Sequence, residues 1–187
     1  LKNGVELTTH ILFFDVSSGE RSADASLPDA LGIQLCYAEN STAAVLCDDG
    51  LYLVRRSGDT EHALTVAAND LIAVSAHDNV MALATRSYSG NARFDLYTVR
   101  GSKLAGPYGL DEEPTSLAVS VAGTAVLSAS GVSVYGTDFT PLWHNSDAVG
   151  ARRLLLTDDG TVFAMYTKNT RLFTSHSEQS EDISHAE

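Results

Sequence analysis

Short stretches of alternating apolar and polar residues recur along the chain, separated by turns of polar residues and glycine. Alternation with a period of two is typical of half-buried β-strands. The clearest set lies between Thr115 and Ser146, where the strands TSLAVS, AVLSAS, VSVYG and TPLWHN follow one another. This pattern predicts four antiparallel strands in one small sheet. Helical periodicity is nearly absent, since its only candidate, Ser26–Leu31, is too short to form a stable helix.

The centres of five strands recur at nearly constant spacing. They are Phe14, Leu53, Tyr97, Tyr135 and Phe173, at intervals of 39, 44, 38 and 38 residues. A unit of about 40 residues built from short strands is typical of a β-propeller blade. The sequence therefore predicts an all-β fold, a β-propeller of four-stranded antiparallel blades. The interval of 44 residues indicates a lengthened hairpin between the second and third strands of one blade, in the segment RSYSGNA.

Residues 1–176 are predicted to form the propeller, and residues 177–187 an acidic, disordered tail. About three blades are whole and two are partial. The whole blades are 32–67, 70–110 and 115–146. Residues 4–27 show the second, third and fourth strands of a blade, whereas residues 152–175 show the first, second and third.

The two partial blades duplicate the second and third strands, so they do not complete each other within one blade. Propellers avoid exposed strand edges by closing radially. We therefore expect an incomplete arc that is part of a larger ring, or a protomer that closes against another chain. If the other chain is a second copy of this one, the protein forms a homo-oligomer that completes the ring. A five-bladed ring with two imperfect blades is a third alternative.

The charge of the chain disfavours a nucleic-acid partner. The net charge is −12, from 24 acidic and 12 basic residues, and the dense basic pairs are limited to Arg55-Arg56 and Arg152-Arg153. Binding to a phosphate backbone requires clustered Lys and Arg. The longest uncharged run, 114–137, alternates and contains several Ser and Gly residues. It predicts two hairpins rather than a membrane helix, so we expect no membrane contact by this segment itself.

The chain contains two cysteines, Cys36 and Cys47. A hairpin that turns at Asn40-Ser41 places both thiols on the same face of a sheet, about two residues out of register. A disulfide across that diagonal is strained, which favours two buried free thiols. The sequence leaves their redox state open.

No metal or cofactor site is predicted. Two Asp-Asp-Gly turns, Asp48–Gly50 and Asp158–Gly160, provide the backbone conformations of tight hairpins, and neither has the further carboxylates of a calcium loop. None of the six histidines shows zinc-ligand spacing. They are His10, His62, His77, His144, His176 and His185. The sequence also contains no phosphate-binding or dinucleotide-binding motif.

No catalytic residue is predicted either. The chain has no G-x-S-x-G motif for a serine nucleophile. A glycosidase requires two carboxylates at a fixed separation. Asp15, Asp70, Asp78 and Asp147 lie at loops or strand ends, but the sequence sets no distance between any two of them. We therefore expect a protein that is not an enzyme, with a propeller glycosidase as the third functional alternative.

The lengthened hairpin is the predicted interaction surface. Arg86, Tyr88 and Arg93 flank it, and an insertion in one blade of a regular array is where recognition is commonly added. Tyr108 and Trp143 lie in or near loops and are assigned to the same surface, because exposed aromatic residues anchor protein interfaces. The alternative for the three aromatic rings, Tyr88, Tyr108 and Trp143, is packing between neighbouring blades.

The segment MALATRSYSGNARFDLYTVRGSKLAGPY, residues 81–108, resembles an uncharacterised family of bacterial β-propeller proteins. This family is similar to the WD40- and PQQ-like propeller superfamily, although the chain has no WD dipeptide. Members carry an N-terminal membrane anchor with the propeller outside the cytoplasm. The resemblance therefore implies an extracytoplasmic domain, anchored through a segment outside this chain; a cytoplasmic location is the alternative. The family has no established activity, so the resemblance provides no catalytic residues.

These observations favour a non-enzymatic scaffold for protein or peptide interaction, whose molecular activity the sequence does not specify. The alternative is an extracytoplasmic ligand-sensing domain that binds a small molecule or glycan at the mouth of the channel. A sensor requires polar groups that converge there from several blades, whereas a scaffold requires an exposed aromatic and apolar surface.

Overall fold

The structure is a computed structural model that describes residues 8–39, 41–67, 69–175 and 182–183, with the backbone alone for 37–39 and 182–183. The chain divides into two compact units. Unit 1 comprises Leu1–Asn69 and Val99–Ser102, and unit 2 comprises Asp70–Thr98 and Lys103–Glu187. In the described ranges, no helix has the length and apolar content needed to cross a membrane.

Unit 1 contains two antiparallel sheets. The first sheet pairs β1 (Thr8–Phe14) with β2 (Arg21–Pro28). The second sheet has its strands in chain order: β3 (Gly32–Glu39), β4 (Thr42–Cys47), β5 (Gly50–Arg55) and β6 (Thr60–Thr65). A core lies between the two sheets, formed by Ile11, Phe13, Ala25 and Leu27 of the first and Ala43, Val45, Cys47 and Val54 of the second.

Unit 2 contains three four-stranded antiparallel sheets, each with its strands in chain order. The third sheet consists of β7 (Leu71–His77), β8 (Val80–Arg86), β9 (Ala92–Thr98) and β10 (Lys103–Gly109). The fourth consists of β11 (Ser116–Ser120), β12 (Gly123–Ser128), β13 (Gly131–Tyr135) and β14 (Pro141–Asn145). The fifth consists of β15 (Arg153–Leu156), β16 (Val162–Met165), β17 (Thr170–Phe173) and β18 (Asp182–Ile183).

The first strands of these three sheets lie next to one another. All five residues of β11 are buried because this strand contacts both β7 and β15. Serine side chains link the strands: the backbone N–H of Val119 donates to Ser75 Oγ at 3.1 Å, and that of Leu154 donates to Ser116 Oγ at 3.2 Å. Hydroxyls therefore satisfy backbone groups that no strand ladder pairs, as buried polar groups require.

The two faces of the fourth sheet bury different sets of residues, because side chains alternate along each strand. One face packs against the third sheet, with Leu117, Val119 and Val126 against Ala82, Ala84, Phe94 and Leu96. The other face packs against the fifth sheet, with Ala118, Leu127, Val132 and Val134 against Leu154, Leu156, Val162 and Phe173. This face-to-face stacking of four-stranded meanders is the blade arrangement that the sequence predicts.

In the structure, one of the five repeat centres lies one residue away from its predicted position. Tyr135 and Phe173 both pack toward the preceding sheet. In the second sheet the aromatic residue with this orientation is Tyr52, which contacts the core shared with the first sheet, and Leu53 therefore lies on the opposite face. With Tyr52 in place of Leu53 the intervals become 38, 45, 38 and 38 residues.

The partial blades differ from the prediction at two points. In the first sheet β1 runs without a break from Thr8 to Phe14, across the boundary that the sequence suggested between Thr9 and His10. Residues 4–7 of that predicted strand lie outside the described residues. In the fifth sheet β18 supplies a fourth strand that pairs with β17. Two residues are too few for a visible alternation, so the sequence pattern did not reveal this strand. The rest of the predicted tail lies outside the described residues.

Both cysteines are free thiols, but their register differs from the prediction. Two bulges in β3, between Gly32 and Gln34 and between Leu35 and Tyr37, shift the pairing by two positions, so Cys47 lies opposite Gly32. The thiols are therefore separated by four positions along β3 instead of two. Burial raises the pKa of Cys36 and of Cys47 to about 11. Since the thiolate is the reactive form, both side chains act as small apolar groups.

Candidate functional site

The lengthened hairpin predicted from the sequence joins β8 to β9 through Ser87–Asn91. Its backbone is held by its own hydrogen bonds: the N–H of Ser87 donates to the carbonyl of Asn91, and the N–H of Gly90 donates to that of Ser87, each at 2.8 Å. Gly90 has a φ of 88°, a left-handed conformation that glycine adopts without strain. The corresponding turn between β12 and β13 has only two residues, so the hairpin in the third sheet is three residues longer.

Tyr88 lies in this hairpin and is fully exposed. Its relative exposure is 110%, the highest of the large hydrophobic side chains in the described part of the chain. A tyrosine ring offers a large contact area at a low cost in conformational entropy, since only two torsions are fixed on binding. Tyr88 is therefore suited to contact another molecule.

Arg86 anchors the base of the hairpin. Its Nη2 donates to Glu113 Oε2 at 2.8 Å and to Oε1 at 2.9 Å. These hydrogen bonds, together with the negative charge of Glu113, raise the pKa of Arg86 above its usual value. The backbone N–H of Arg86 donates to the carbonyl of Asp70 at 2.7 Å. Exposed ion pairs contribute little to stability, so the main consequence is a fixed position for the hairpin.

Glu112 makes the corresponding contact with the next hairpin. The backbone N–H of Ser130 donates to Glu112 Oε2 at 3.0 Å. Hydrogen bonds from Ser128 and Ser130 lower the pKa of Glu112 below its usual value. Glu112 and Glu113 lie in the connection between β10 and β11, residues 110–115, which we call the glutamate loop. This loop holds the hairpins of two neighbouring sheets.

A pocket of about 270 Å³ opens beside the glutamate loop. Its polar lining consists of Asp111, Glu112, Ser128, Ser130, Ser133, Tyr135 and His144. Ser133 Oγ and His144 Nδ1 are hydrogen-bonded at 3.0 Å. Burial raises the pKa of Tyr135, so its hydroxyl remains a hydrogen-bond donor at neutral pH. Two carboxylates and several hydroxyls suit this pocket to ligands rich in hydrogen-bond donors.

The structure brings three of the five predicted surface residues together. Arg93 lies on β9 at the base of the same hairpin, is exposed, and donates from Nε to Thr85 Oγ1 at 3.4 Å. Arg86, Tyr88 and Arg93 therefore share one hairpin. The residues that complete its base, Glu112 and Glu113, were not predicted. Their signal in the sequence is that they form the only adjacent pair of glutamates in the chain.

The other two predicted residues lie between sheets. The ring of Tyr108 has its centroid 5.0 Å from that of Tyr135 and 5.5 Å from that of Phe94. Trp143 packs against the core shared by the fourth and fifth sheets. Both side chains are half-buried, which matches the alternative of packing between neighbouring blades. A role for either in an interaction surface stays a prediction.

In the described part of the chain, no group of three or more His, Cys, Asp or Glu residues is placed to hold a metal ion. Asp158, of the second Asp-Asp-Gly turn, instead contacts a histidine: His77 Nε2 lies 3.1 Å from Asp158 Oδ1 and 3.7 Å from Asp78 Oδ2. Asp15 accepts hydrogen bonds from the backbone of Ser17 and Ser18, which stabilise its turn.

No family model and no curated protein matches the chain. Solved structures match its fold. A crystallised fragment of HIRA has 14% identity and a TM-score of 0.55, covering 83% of this chain and 56% of its own. Hsv2p from Kluyveromyces lactis has 10% identity and a TM-score of 0.57, covering 90% and 59%. Regucalcin from Agrobacterium tumefaciens, a calcium-binding protein, has 12% identity and a TM-score of 0.56, covering 90% and 64%.

These structures are β-propellers, and they confirm the predicted fold class of antiparallel β-propeller blades. The chain spans between about a half and two thirds of their length. At such low identities the likeness concerns the fold alone, because one fold hosts many unrelated functions.

Proposed function

We propose that the chain is a non-enzymatic β-propeller scaffold that binds a protein or peptide segment through Ser87–Asn91 and the glutamate loop. We call this region the hairpin surface. The observation that carries the proposal is the full exposure of Tyr88 on a hairpin whose base is fixed by Arg86 and Glu113. A tyrosine side chain fixes only two torsions on binding and so loses little entropy for the area it buries, which is how affinity concentrates in a few residues.

The charge of the hairpin surface supports a basic partner segment. Asp111, Glu112 and Glu113 are consecutive, and Arg86 is already paired with Glu113. The whole chain carries a net charge of −12. A segment that bears Lys or Arg next to an apolar residue would be complementary to the acidic loop and to the ring of Tyr88, which also attracts cations through its π-face.

Site-specific photo-crosslinking in the native host tests this proposal. A photoreactive amino acid at position 88 should capture one defined partner, whereas the same group at position 121 should not. Val121 is the matched control, because it is 62% exposed but lies in the turn between β11 and β12, at the opposite ends of the strands from the glutamate loop.

The captured partner is then purified and titrated calorimetrically against variants. Tyr88→Ala should weaken binding by at least about tenfold, since hot-spot truncations commonly cost more than 1 kcal/mol. Val121→Ala should leave the affinity unchanged. Equal affinities of Tyr88→Ala and the wild type would refute the hairpin surface as the binding site.

The pocket beside the glutamate loop favours a second candidate function, the sensing of a small molecule or glycan. Its polar lining comes from the glutamate loop and from the fourth sheet, so it offers hydrogen-bonding groups from one blade and the connection before it. A thermal-shift screen with amino acids, polyamines and monosaccharides tests it. A hit whose shift disappears in Glu112→Gln supports the sensor, and the absence of any hit favours the scaffold.

An extracytoplasmic location is part of the proposal and rests on the family resemblance. Fractionation of the native host, with antibodies against this chain, is the corresponding test. Recovery in the cytoplasmic fraction would contradict this location without affecting the hairpin surface.

A further inference from the structure

We propose that two copies of this chain associate head to tail, with the outer face of the fifth sheet of one copy packed on the outer face of the first sheet of the other. The fourth sheet shows what a covered blade looks like, since both of its faces are buried against neighbours. The first and fifth sheets each bury one face in a core and leave apolar residues exposed on the other. These two outer faces are the proposed interface.

The outer face of the fifth sheet is formed by three strands. Leu154 and Leu156 point into the core, so Leu155, between them, points away from it. Leu155 pairs with Phe163, which pairs with Leu172, so one apolar row crosses β15, β16 and β17. The relative exposure of Leu155 is 46%. Because the row contains three large apolar side chains on adjacent strands, it resembles the faces through which neighbouring blades pack.

The outer face of the first sheet also has exposed apolar side chains, and it would pack against the outer face of the fifth sheet. Ile11 and Phe13 contact the core of unit 1, so the alternating residues Leu12 and Phe14 point away from it. Leu12 is 45% exposed and Phe14 is 58% exposed. Both are large apolar side chains, and burying one is worth roughly 1.5–3 kcal/mol.

The internal repeat identifies what should cover Phe14. Phe14 and Phe173 occupy equivalent positions, each in the strand whose centre recurs along the chain. Phe173 is 1% exposed, because it packs against Val132 and Val134 on the face of the preceding sheet. Leu172 of the fifth sheet lies on the face that corresponds to Val132 and Val134 in the fourth. The contact between the fourth and fifth sheets is therefore the template for the contact between copies.

The two outer faces are of complementary kinds, which points to a second copy as the partner. In each sheet contact within the units, the face directed toward the following sheet meets the face directed toward the preceding sheet. Among the described residues, apolar side chains are left exposed on the preceding face of the first sheet and on the following face of the fifth. A second copy provides a face of the complementary kind, in a heterologous arrangement. Arg153 lies beside Leu155 on one face, and on the other face Asp24, opposite Leu12, is already paired with Arg21 and His10, so it is the apolar residues that point to a second copy.

The test uses the purified full chain in analytical ultracentrifugation from about 1 µM to about 200 µM, a range that detects micromolar dissociation constants. The wild type should shift from monomer toward dimer and larger head-to-tail species as its concentration rises, because each dimer keeps one free face of each kind. Leu155→Lys and Leu12→Lys should each weaken self-association at least about tenfold, because each buries a charge in the contact. Leu104→Lys is the matched control, since Leu104 is 53% exposed but lies on β10, outside both faces.

Mixing the two blocked variants makes the test specific for a head-to-tail contact. Each blocked variant keeps one intact face, so an equimolar mixture of Leu155→Lys and Leu12→Lys should recover a one-to-one dimer. A wild type that stays monomeric at all concentrations, a mixture that stays monomeric, or a dimer that is insensitive to Leu12→Lys would overturn the proposal. Circular dichroism verifies folding, and Leu155→Ser with Leu12→Ser replaces any lysine variant that does not fold.

Discussion

Phe94 and Tyr88 lie six positions apart in the chain and have opposite environments. Phe94 is fully buried, and its ring contacts those of Tyr108, Tyr135 and Phe139 at centroid distances of 5.5, 5.5 and 5.0 Å. Tyr88 projects into solvent. At the scale of single residues, the same residue class therefore serves stability in one case and, in our proposal, recognition in the other.

This contrast predicts a large difference in stability between two alanine variants. Phe94→Ala should lower the free energy of unfolding by about 3–5 kcal/mol, because it removes a buried ring and leaves a cavity within the aromatic cluster. Tyr88→Ala should change it by less than about 0.5 kcal/mol. Urea unfolding followed by circular dichroism measures both values. Similar losses for the two variants would show that Phe94 is not the centre of the core between the third and fourth sheets.

The two thiols predict slow alkylation of the folded protein. Their pKa is raised from 9.0 to about 11, which reduces the thiolate fraction at pH 8 about a hundredfold. Iodoacetamide should therefore react at least that much faster after unfolding in urea, as measured by intact-mass spectrometry. Cys36, half-buried, should react before Cys47, which is 1% exposed. Equal rates in the folded and unfolded states would contradict the burial of both groups.

The same raised pKa values set a direction for stability at high pH. The folded state holds these protons more tightly than unfolded thiols do, so this contribution is fully present below about pH 9. It is lost as the pH rises from about 9 toward 11. Replacement of both cysteines by alanine removes the effect, which provides the control for an alkaline unfolding titration.

At the scale of elements, the glutamate loop connects two hairpins that belong to neighbouring sheets. Glu113 holds the long hairpin through Arg86, and Glu112 holds the short turn through Ser130. These are tertiary contacts: Arg86 and Glu113 are 27 residues apart, and Glu112 and Ser130 are 18 apart. The glutamate loop and the long hairpin therefore contact each other directly, and together they form one continuous surface.

The contact between Glu112 and Ser130 predicts a titration that NMR can follow. Hydrogen bonds lower the pKa of Glu112 below 4.5. The carboxylate should therefore stay deprotonated, and keep its hydrogen bond to the turn, until the pH falls below that value. The amide proton shift of Ser130 should therefore titrate with a midpoint below 4.5. Glu112→Gln should abolish this titration. A midpoint at or above 4.5 would mean that the carboxylate is not held by the turn in solution.

The strands were largely predictable from the sequence, whereas the contacts of the loops were not. Alternation located β7 to β17 within a few residues, because each half-buried strand shows its own period. The sequence pattern does not distinguish Leu53 from Tyr52 as the repeat centre, because the two are apolar neighbours and only the packing reveals which face each one occupies. The bulge beside Cys36 and the pairing of Glu113 with Arg86 depend on register and on distant chain segments. No local pattern encodes either of them.

At the scale of the whole molecule, the excess of negative charge predicts weak interaction with nucleic acids. With a net charge of −12 the chain repels a phosphate backbone. Duplex DNA and single-stranded RNA should show no shift in a gel assay at about 50 mM salt, where non-specific electrostatic binding is strong. A basic DNA-binding domain serves as the positive control. Binding that weakens steeply with added salt would contradict this expectation and indicate a concentrated basic surface.

The repeat fixes the architecture of the blades but is silent about their function, because every blade uses the same alternation to stack on its neighbours. In our proposal, specificity resides where one blade departs from the others. The hairpin Ser87–Asn91 is one such departure, with three residues more than the corresponding turn of the fourth sheet and one more than that of the fifth.

The way this hairpin is held has a practical consequence for protein engineering. The backbone hydrogen bonds of its tip stay within Ser87–Asn91, and the ion pair between Arg86 and Glu113 closes the segment at its base. The tip can therefore be exchanged for a foreign peptide without altering the residues that join the sheets. The hairpin is therefore a suitable insertion site, at which a new epitope or binding loop can be displayed on an otherwise unchanged blade.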